Sequence, residues 1–329
     1  MPTPATFTSW FDSWSGLNAV VLGLSDEGFA LADTLVELGV SVSVVTEEDD
    51  QDRISILNVL GANAFVGEES WADVPSPDFL VVASSWSGNF HAPDWAEDVV
   101  VWSEVEFTSR VADKVEGGPE FVYVAGEHAD LIANTATALL LASGLKAFQA
   151  GIGIAPALDA IRLPDGIDVV VWVLPPGQLQ QMESDADIAR APVLSVSVGD
   201  EHPLPHDLLV ELYRNTSRAC VYRRGGGATE AAVEDAEVIE GARAIGIGLD
   251  TPPRSDLGRV EDIVCDRAFL EDRADRALEL CTTAELEQAG FDSPERAEAA
   301  IAAFAIARAF DVAPELIGSA LAGSASASE

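Results

Sequence analysis

FVYVAGEHADLIANTATALLLASG, Phe121–Gly144, reads as a strand, a turn and a helix. Phe121–Ala125 form a continuous apolar run, the signature of a strand buried on both faces. The segment after the turn reads as a helix of small and apolar residues. Between them lies Gly126-Glu127-His128-Ala129-Asp130-Leu131. In a nucleotide-hydrolysing domain a turn at this place is a glycine-rich cradle ending in Gly-Lys-Ser/Thr, whose N–H groups and lysine hold phosphates. Here two carboxylates stand where a triphosphate needs a cation. The local pattern implies an α/β domain and poses a question: is this a phosphate cradle whose chemistry was removed, or was it never one?

Toward the N-terminus, strands and helices alternate. Asn18–Gly23 is an expected strand, followed by a helix with Leu31, Leu35 and Leu38 on one face and Gly39 at its end. Val40–Thr46 is the next strand, then a helix in QDRISILNVLGA, a short strand in AFVG and a buried strand at Asp78–Ser84. DVVVWSEVEF closes the unit. Such βα repeats imply a parallel, doubly wound sheet. Gly117-Gly118-Pro119 marks a boundary. Beyond Phe121–Gly144, further strands are expected at Gly166–Leu174, Pro192–Gly199, Arg218–Arg223 and Ala242–Leu249. A late amphipathic helix is expected over Ser293–Phe310, with Ser293 as N-cap and Pro294 at the first helical position. The expected organisation is residues 1–117, residues 118–321 and a disordered tail over 322–329.

The 329 residues carry 18 Lys+Arg against 56 Asp+Glu, a formal charge of −38. Lys114 and Lys146 are the only lysines. Such a surface repels nucleic acid and anionic lipid, so neither is an expected partner. Two readings of the acidity stand: a heavily solvated surface, or an acidic partner for a basic protein. No apolar run approaches the ~20 residues of a membrane helix. The first residues lack a secretory pattern, and Cys220, Cys265 and Cys281 show no metal spacing, which together imply reduced thiols in a cytoplasm.

Few residues suggest chemistry. Gly23-Leu24-Ser25-Asp26-Glu27-Gly28 links the first strand to its helix, either as a ligand loop or as a tight structural turn. His202 and His206, with Asp200, Glu201 and Asp207, form an acidic surface loop or a weak metal site; Pro203 and Pro205 argue against a helix there. His91 and His128 complete the histidines. No Gly-x-Ser-x-Gly elbow supports a triad hydrolase.

The order of segments resembles the Mur ligases, most closely the actinobacterial MurD branch, the UDP-N-acetylmuramoyl-L-alanine:D-glutamate ligases. The resemblance rests on VVLGLSDEGFALADTLVELGVSVSVV, on VVVWSEVEFTSRV and on the stretch from ATEAAVEDAEVIEG through RADRALEL. It implies an N-terminal Rossmann-like parallel-sheet domain that binds UDP, followed by a P-loop-ATPase-like α/β central domain. The family's C-terminal domain is expected to be absent. Family chemistry makes an acyl phosphate from ATP, which an amine attacks, and so needs a phosphate loop, magnesium ligands and cations.

Under this resemblance the family's Thr-Gly-Thr-Asn-Gly-Lys-Thr/Ser matches Ala125-Gly126-Glu127-His128-Ala129-Asp130-Leu131, a vestigial P-loop. Asp130 stands at the lysine and Leu131 at the magnesium-binding hydroxyl. Val173 replaces the family's metal-binding glutamate, Ile152 the asparagine that meets the muramoyl substrate, and no lysine lies near Leu209, where a modified lysine usually follows. The family's Asp-His segment is blurred into Asp200-Glu201-His202. Arg223-Arg224-Gly225-Gly226-Gly227 replaces the family's Asn-x-x-Asp-Asp type segment, which usually serves the nucleotide, and Glu295-Arg296-Ala297-Glu298-Ala299 its His-Asn-x-x-Asn segment at the late helix. The UDP site is eroded less: Gly23, Leu24, Ser25, Gly28 and Thr46 remain as a vestigial site, but Thr46-Glu47-Glu48 has lost a cation and Ser84-Ser85-Trp86 a Ser-Pro-Gly turn.

The resulting expectation is a catalytically inactive MurD-like pseudoenzyme with no catalytic residue, no metal and no cofactor. It would act through a protein partner in peptidoglycan synthesis. Two alternatives stand beside it: a ligase with a rebuilt or trans-completed site, and a UDP-sugar sensor.

Overall fold

The structure, a computed structural model, describes residues 4–47, 49–67, 70, 73–86, 99–182, 189–199, 204–225, 227–273 and 275–326. It divides into two compact units, Met1–Pro119 with Ala150–Gly166 and Gly177–Arg190, and Glu120–Gln149 with Ile167–Pro176 and Ala191–Glu329. The expected boundary after residue 117 therefore falls at Pro119, and two later segments join the first unit. One cause is local to that unit: Arg162 pairs with Asp33 at 2.6 Å and with Glu37 at 3.2 Å.

The first unit holds a five-stranded parallel sheet of order β3-β2-β1-β4-β5. Its strands are β1 Asn18–Leu22, β2 Ser41–Thr46, β3 Asn63–Val66, β4 Phe79–Val82 and β5 Val100–Ser103. Helices α1 Asp26–Glu37, α2 Gln51–Leu60 and α3 Glu104–Arg110 follow β1, β2 and β5. Each N-cap is a residue type that accepts from the first turn: Ser25, Asp50 and Ser103. Buried Trp14 sits edge-on to Phe7, Phe79, Trp102 and Phe107, a dense aromatic seal under one sheet face.

The second unit is built on a nine-stranded sheet of order β14-β13-β12-β11-β10-β9-β6-β8-β7. Its strands are β6 Glu120–Gly126, β7 Ala147–Ala150, β8 Val169–Val173, β9 Leu194–Val198, β10 Ala219–Arg223, β11 Arg243–Ile247, β12 Leu257–Val260, β13 Ile263–Asp266 and β14 Leu278–Thr282. Its helices are α4 Ala129–Ala142, α7 His206–Tyr213, α8 Ala228–Asp235, α9 Thr283–Gln288, α10 Pro294–Ala309 and α11 Pro314–Ser326, while α5 Ala157–Ile161 and, but for Pro176, α6 Pro176–Met182 fall in the later segments of the first unit. β6 runs parallel to β8 and β9 and lies inside the sheet, as the apolar run of Phe121–Ala125 implies. The sheet is not parallel throughout: β12, β13 and β14 form an antiparallel extension. Only Glu261 and Asp262 separate β12 from β13, with Glu261 at φ 55°, and so short a link permits a hairpin but no crossover.

Two further expectations are corrected. α10 is not amphipathic: every residue from Ala299 to Arg308 is buried. Its alanines let it approach α4 closely, and over Ala299–Arg308, covered all round, it carries no polar face. The tail expected to be disordered continues as α11 to Ser326, because alanine favours helix and serine permits it. Residues 327–329 lie outside the described residues. Among the described residues no helix is long and apolar enough to cross a membrane, and the three cysteines are free and buried.

Candidate functional site

The turn at the end of β6 brings Glu127 and His128 to a cleft of about 790 Å³ in the second unit. Val198 and Gly199 follow from β9, Arg223, Arg224 and Gly225 from β10, Gly248, Leu249 and Asp250 from β11, and Pro294, Glu295 and Glu298 from the start of α10. The cleft thus lies at the carboxyl ends of parallel strands, where open α/β sheets hold ligands. Gly126, at φ 93°, ends β6, and His128 takes the left-handed conformation at φ 57° as the N-cap of α4. That geometry swings the chain sharply from strand to helix, as a phosphate cradle must.

The charges in this cleft are largely occupied with one another. Four carboxylates, Glu127, Asp250, Glu295 and Glu298, face two guanidinium groups. Arg223 Nε donates to both oxygens of Glu298, at 3.0 and 2.9 Å. Arg224 donates to Asp256 at 2.9 Å and also pairs with Asp250. Burial raises the Asp256 carboxyl, and Arg224 and the Gly246 N–H pull it back. His128 Nε2 is buried without a hydrogen-bond partner, with a Glu127 oxygen 3.8 Å away. Glu127 folds over the end of β9: a Cβ built on Gly199 would lie 2.7 Å from both Cβ and Oε2 of Glu127. The Glu295 carboxyl is held below its usual range, first by its own backbone N–H, then by Ser293 and last by His128.

A second pocket, of about 420 Å³, lies within the first unit. Gly23, Leu24, Ser25 and Thr46 line it together with Asp26, Glu27, Glu47, Asp50, Arg53, Ser85, Trp86, Ile152 and Gly153. Gly28 is not part of the lining. It packs under the loop, where a Cβ would fall 2.1 Å from the Gly23 carbonyl oxygen, and its N–H caps to Ser25. Ser25 donates to Glu27 at 2.5 Å and accepts from Ser85. Behind them Glu104 is 1% exposed and accepts from the Ser84 N–H at 3.0 Å and from its hydroxyl. Burial pushes the Glu104 carboxyl up to about 7 against those donors, with Glu27 adding to the rise.

Sequence reasoning placed no cation here, and Arg53 corrects that. Its Nη1 donates to the Leu24 carbonyl at 2.8 Å, Nη2 meets Asp26 at 2.5 Å, and Nε lies 3.3 Å from Asp50. One signal was available: Arg53 is the only lysine or arginine in the first 109 residues. The Arg224–Asp250–Asp256 cluster also went unread. Of the residues expected to form a vestigial P-loop, Asp130 is exposed in the first turn of α4, and Leu131 packs partly buried against the core; neither lines the cleft. His206 begins α7 directly after Pro205 and pairs with Asp235 at 3.0 Å. Glu48, His91, Asp200, Glu201, His202, Pro203 and Gly226 lie outside the described residues. Among the described residues no group of three His, Cys, Asp or Glu could hold a metal ion.

No family model matches the chain. Over 95% of its length the chain is 38% identical to a UDP-N-acetylmuramoylalanine--D-glutamate ligase of Leifsonia xyli subsp. xyli, spanning 65% of that protein. It is 33% identical to the ligase of the same name from Tropheryma whipplei (strain Twist), again over 95% of the chain and 68% of the relative. The Streptomyces avermitilis relative of that name is 32% identical over 91% of the chain and 65% of the relative. The chain thus spans about two thirds of the length of these relatives. In fold it is similar to a murein peptide ligase Mpl from Psychrobacter arcticus 273-4, with TM-score 0.55 and 12% identity over 93% of this chain and 68% of that one. It is also similar to the UDP-N-acetylmuramate:L-alanyl-gamma-D-glutamyl-meso-diaminopimelate ligase of Neisseria meningitides, with TM-score 0.56 and 14% identity over 93% of this chain and 97% of that one.

Proposed function

The chain belongs to the Mur ligase family, as a MurD-like member, and from that premise we propose that it works by binding in peptidoglycan synthesis rather than by ATP-driven ligation. The observation that carries this reading is Glu127, whose carboxylate lies over Gly199 at the end of β9, inside the strand–turn–helix that would cradle phosphate. A magnesium triphosphate needs open N–H groups, a lysine and a metal-binding hydroxyl at such a turn. The residues present do not fit it: an anion occupies the turn, position 130 is Asp and position 131 is Leu. A further carboxylate near a phosphate repels it by about 4 kcal/mol at 4 Å and an effective dielectric of 20. A protein partner, rather than a nucleotide, is the expected ligand.

A second reading, ligation at a rebuilt site, draws on Arg223 and Arg224, which bring two guanidinium groups to the cleft. Both are already paired with carboxylates, so a nucleotide would have to break those pairs first. A third, UDP-sugar binding in the first unit, draws on Arg53 beside the retained Gly23-Leu24-Ser25 loop. One thermal-shift series separates the three, since a ligand that binds only the folded state raises the melting temperature. ATP with magnesium is expected to leave it unchanged. A rise of several degrees with ATP, together with ADP release on adding UDP-N-acetylmuramoyl-L-alanine and D-glutamate, would overturn the binding reading. A rise with the UDP-sugar alone would favour the third.

A further inference from the structure

α2 buries a single residue along its whole length, Leu57. On its open side Ile56, Val59 and Leu60 are 51%, 87% and 36% exposed, at the i, i+3, i+4 spacing of one helical face. Scattered exposed apolar residues are ordinary; three on one stripe of a ten-residue helix are not. The stripe also continues into a groove. Ile56 lines a cavity of about 480 Å³ whose floor includes Phe29, Ala30, Ile154 and Pro156, with Ile154 itself 43% exposed. All of these residues belong to the first unit.

The rim of the groove tells what would cover it. Asp26, Asp33 and Asp159 stand around the apolar floor with Arg53 and Arg162 as its cations. Arg53 is held by Asp26 and Asp50, and Arg162 by Asp33 and Glu37. Asp159 has no ion pair at salt-bridge distance among the described residues. Burial raises its carboxyl, Arg162 lowers it, and Asp33 and Asp26 raise it again, so a positive charge there would relieve a local excess. The chain as a whole carries −38, which disfavours a second copy or any acidic protein on this face.

Resting on the binding reading above, we infer that the α2 stripe and its acidic groove form a docking site for an amphipathic helix of a partner protein whose apolar face is flanked by Lys or Arg. The apolar face would seat on Ile56, Val59 and Leu60, in the manner of helix-in-groove recognition. The flanking cations would meet Asp159 and its neighbours, which sets orientation and association rate.

The test uses the full chain and a fluorescent synthetic helix of leucine and lysine, followed by anisotropy at physiological salt. A leucine–glutamate helix and a lysine–alanine helix of equal length serve as controls. The leucine–lysine helix is expected to bind and both controls to fail. V59D and I56D should each weaken binding roughly tenfold, the loss of one buried aliphatic contact. Both variants add negative charge, so non-specific attraction to an acidic protein would hold or strengthen instead, and that result would overturn the inference. Equal binding of the lysine–alanine helix would do the same. So would sedimentation of the free chain as a dimer that V59D dissociates, which would make a second copy the occupant. Val59 is mostly exposed, so V59D is expected to keep the wild-type melting temperature, and a folded V59D with full affinity refutes the site. The ATP experiment reads separately: an ATP-induced rise sinks the binding reading without touching peptide affinity, and lost peptide binding leaves the ATP result as it stands.

Discussion

Glu104 should make this protein less stable as the pH rises through neutrality. Its carboxyl is almost fully buried beside Ser84, and burial raises it from 4.5 to about 7. Between those values the folded state keeps a proton that the unfolded chain releases. The stabilising contribution is therefore complete below the unfolded value and is lost as pH climbs through the folded one. A rise of about 2.5 units corresponds to roughly 3 kcal/mol, of which roughly 2–3 kcal/mol disappears between about pH 5 and about pH 8.5. That window stays above the pI of about 4.1, away from the point of zero net charge. Glu104→Gln mimics the protonated acid at every pH and can still accept from the Ser84 N–H. Urea unfolding of both proteins across the window gives the difference, in which every other titrating group cancels. The variant should gain on the wild type by roughly 2–3 kcal/mol from the acid to the alkaline end. A difference that stays flat with pH, or a wild type that gains on the variant, would refute the assignment of a buried, protonated Glu104.

Two further outcomes test the second unit. Arg308 donates to Asp266 at 2.9 Å, both side chains being buried, and Asp266 also accepts from the N–H groups of Ala268 and Phe269 at 2.7 and 2.9 Å. R308M strands that carboxylate and should cost about 3–5 kcal/mol by denaturant unfolding, with R308M/D266N recovering part of the loss; a cost below about 1 kcal/mol would mean the pair is not buried as described. Gly199→Ala meets Glu127 and a backbone at φ 109°, so it should destabilise by about 1–3 kcal/mol. Adding E127A should restore the steric share alone, and a G199A protein as stable as wild type would remove the evidence that Glu127 lies across the strand end.

Where adjacent residues decide, the amino-acid order was sufficient. The apolar run of Phe121–Ala125 made an interior strand and the Ala/Leu segment a helix, because side-chain period and backbone propensity act over a few residues. Asp130 and Leu131 likewise show from their identity alone that neither a lysine nor a hydroxyl stands at positions 130 and 131, and the charge of −38 led to the expectation that nucleic acid and anionic lipid are not partners. Periodicity could not reveal that α10 is covered on every side from Ala299 to Arg308, since an alanine-rich helix looks the same whether one face or all of it meets neighbours. Nor could it assign Ala157–Ile161 to the first unit, or place an antiparallel extension beside a parallel sheet.

The pockets depended on the tertiary fold to a greater degree still. Arg53 reaches the Leu24 carbonyl across 29 residues, Arg224 reaches Asp256 across 32, and Arg223 reaches Glu298 across 75. Composition counts such charges, but it cannot say which will neutralise one another. Coulomb energy and desolvation depend on separations of a few ångströms, and only the packing of distant segments sets those separations. The sequence by itself therefore determined that Asp and Leu stand at positions 130 and 131 after the β6 turn, while the folded chain decided that Arg223 and Arg224 are already engaged with carboxylates, that Arg53 enters the pocket of the first unit, and that Ile56, Val59 and Leu60 share an open face.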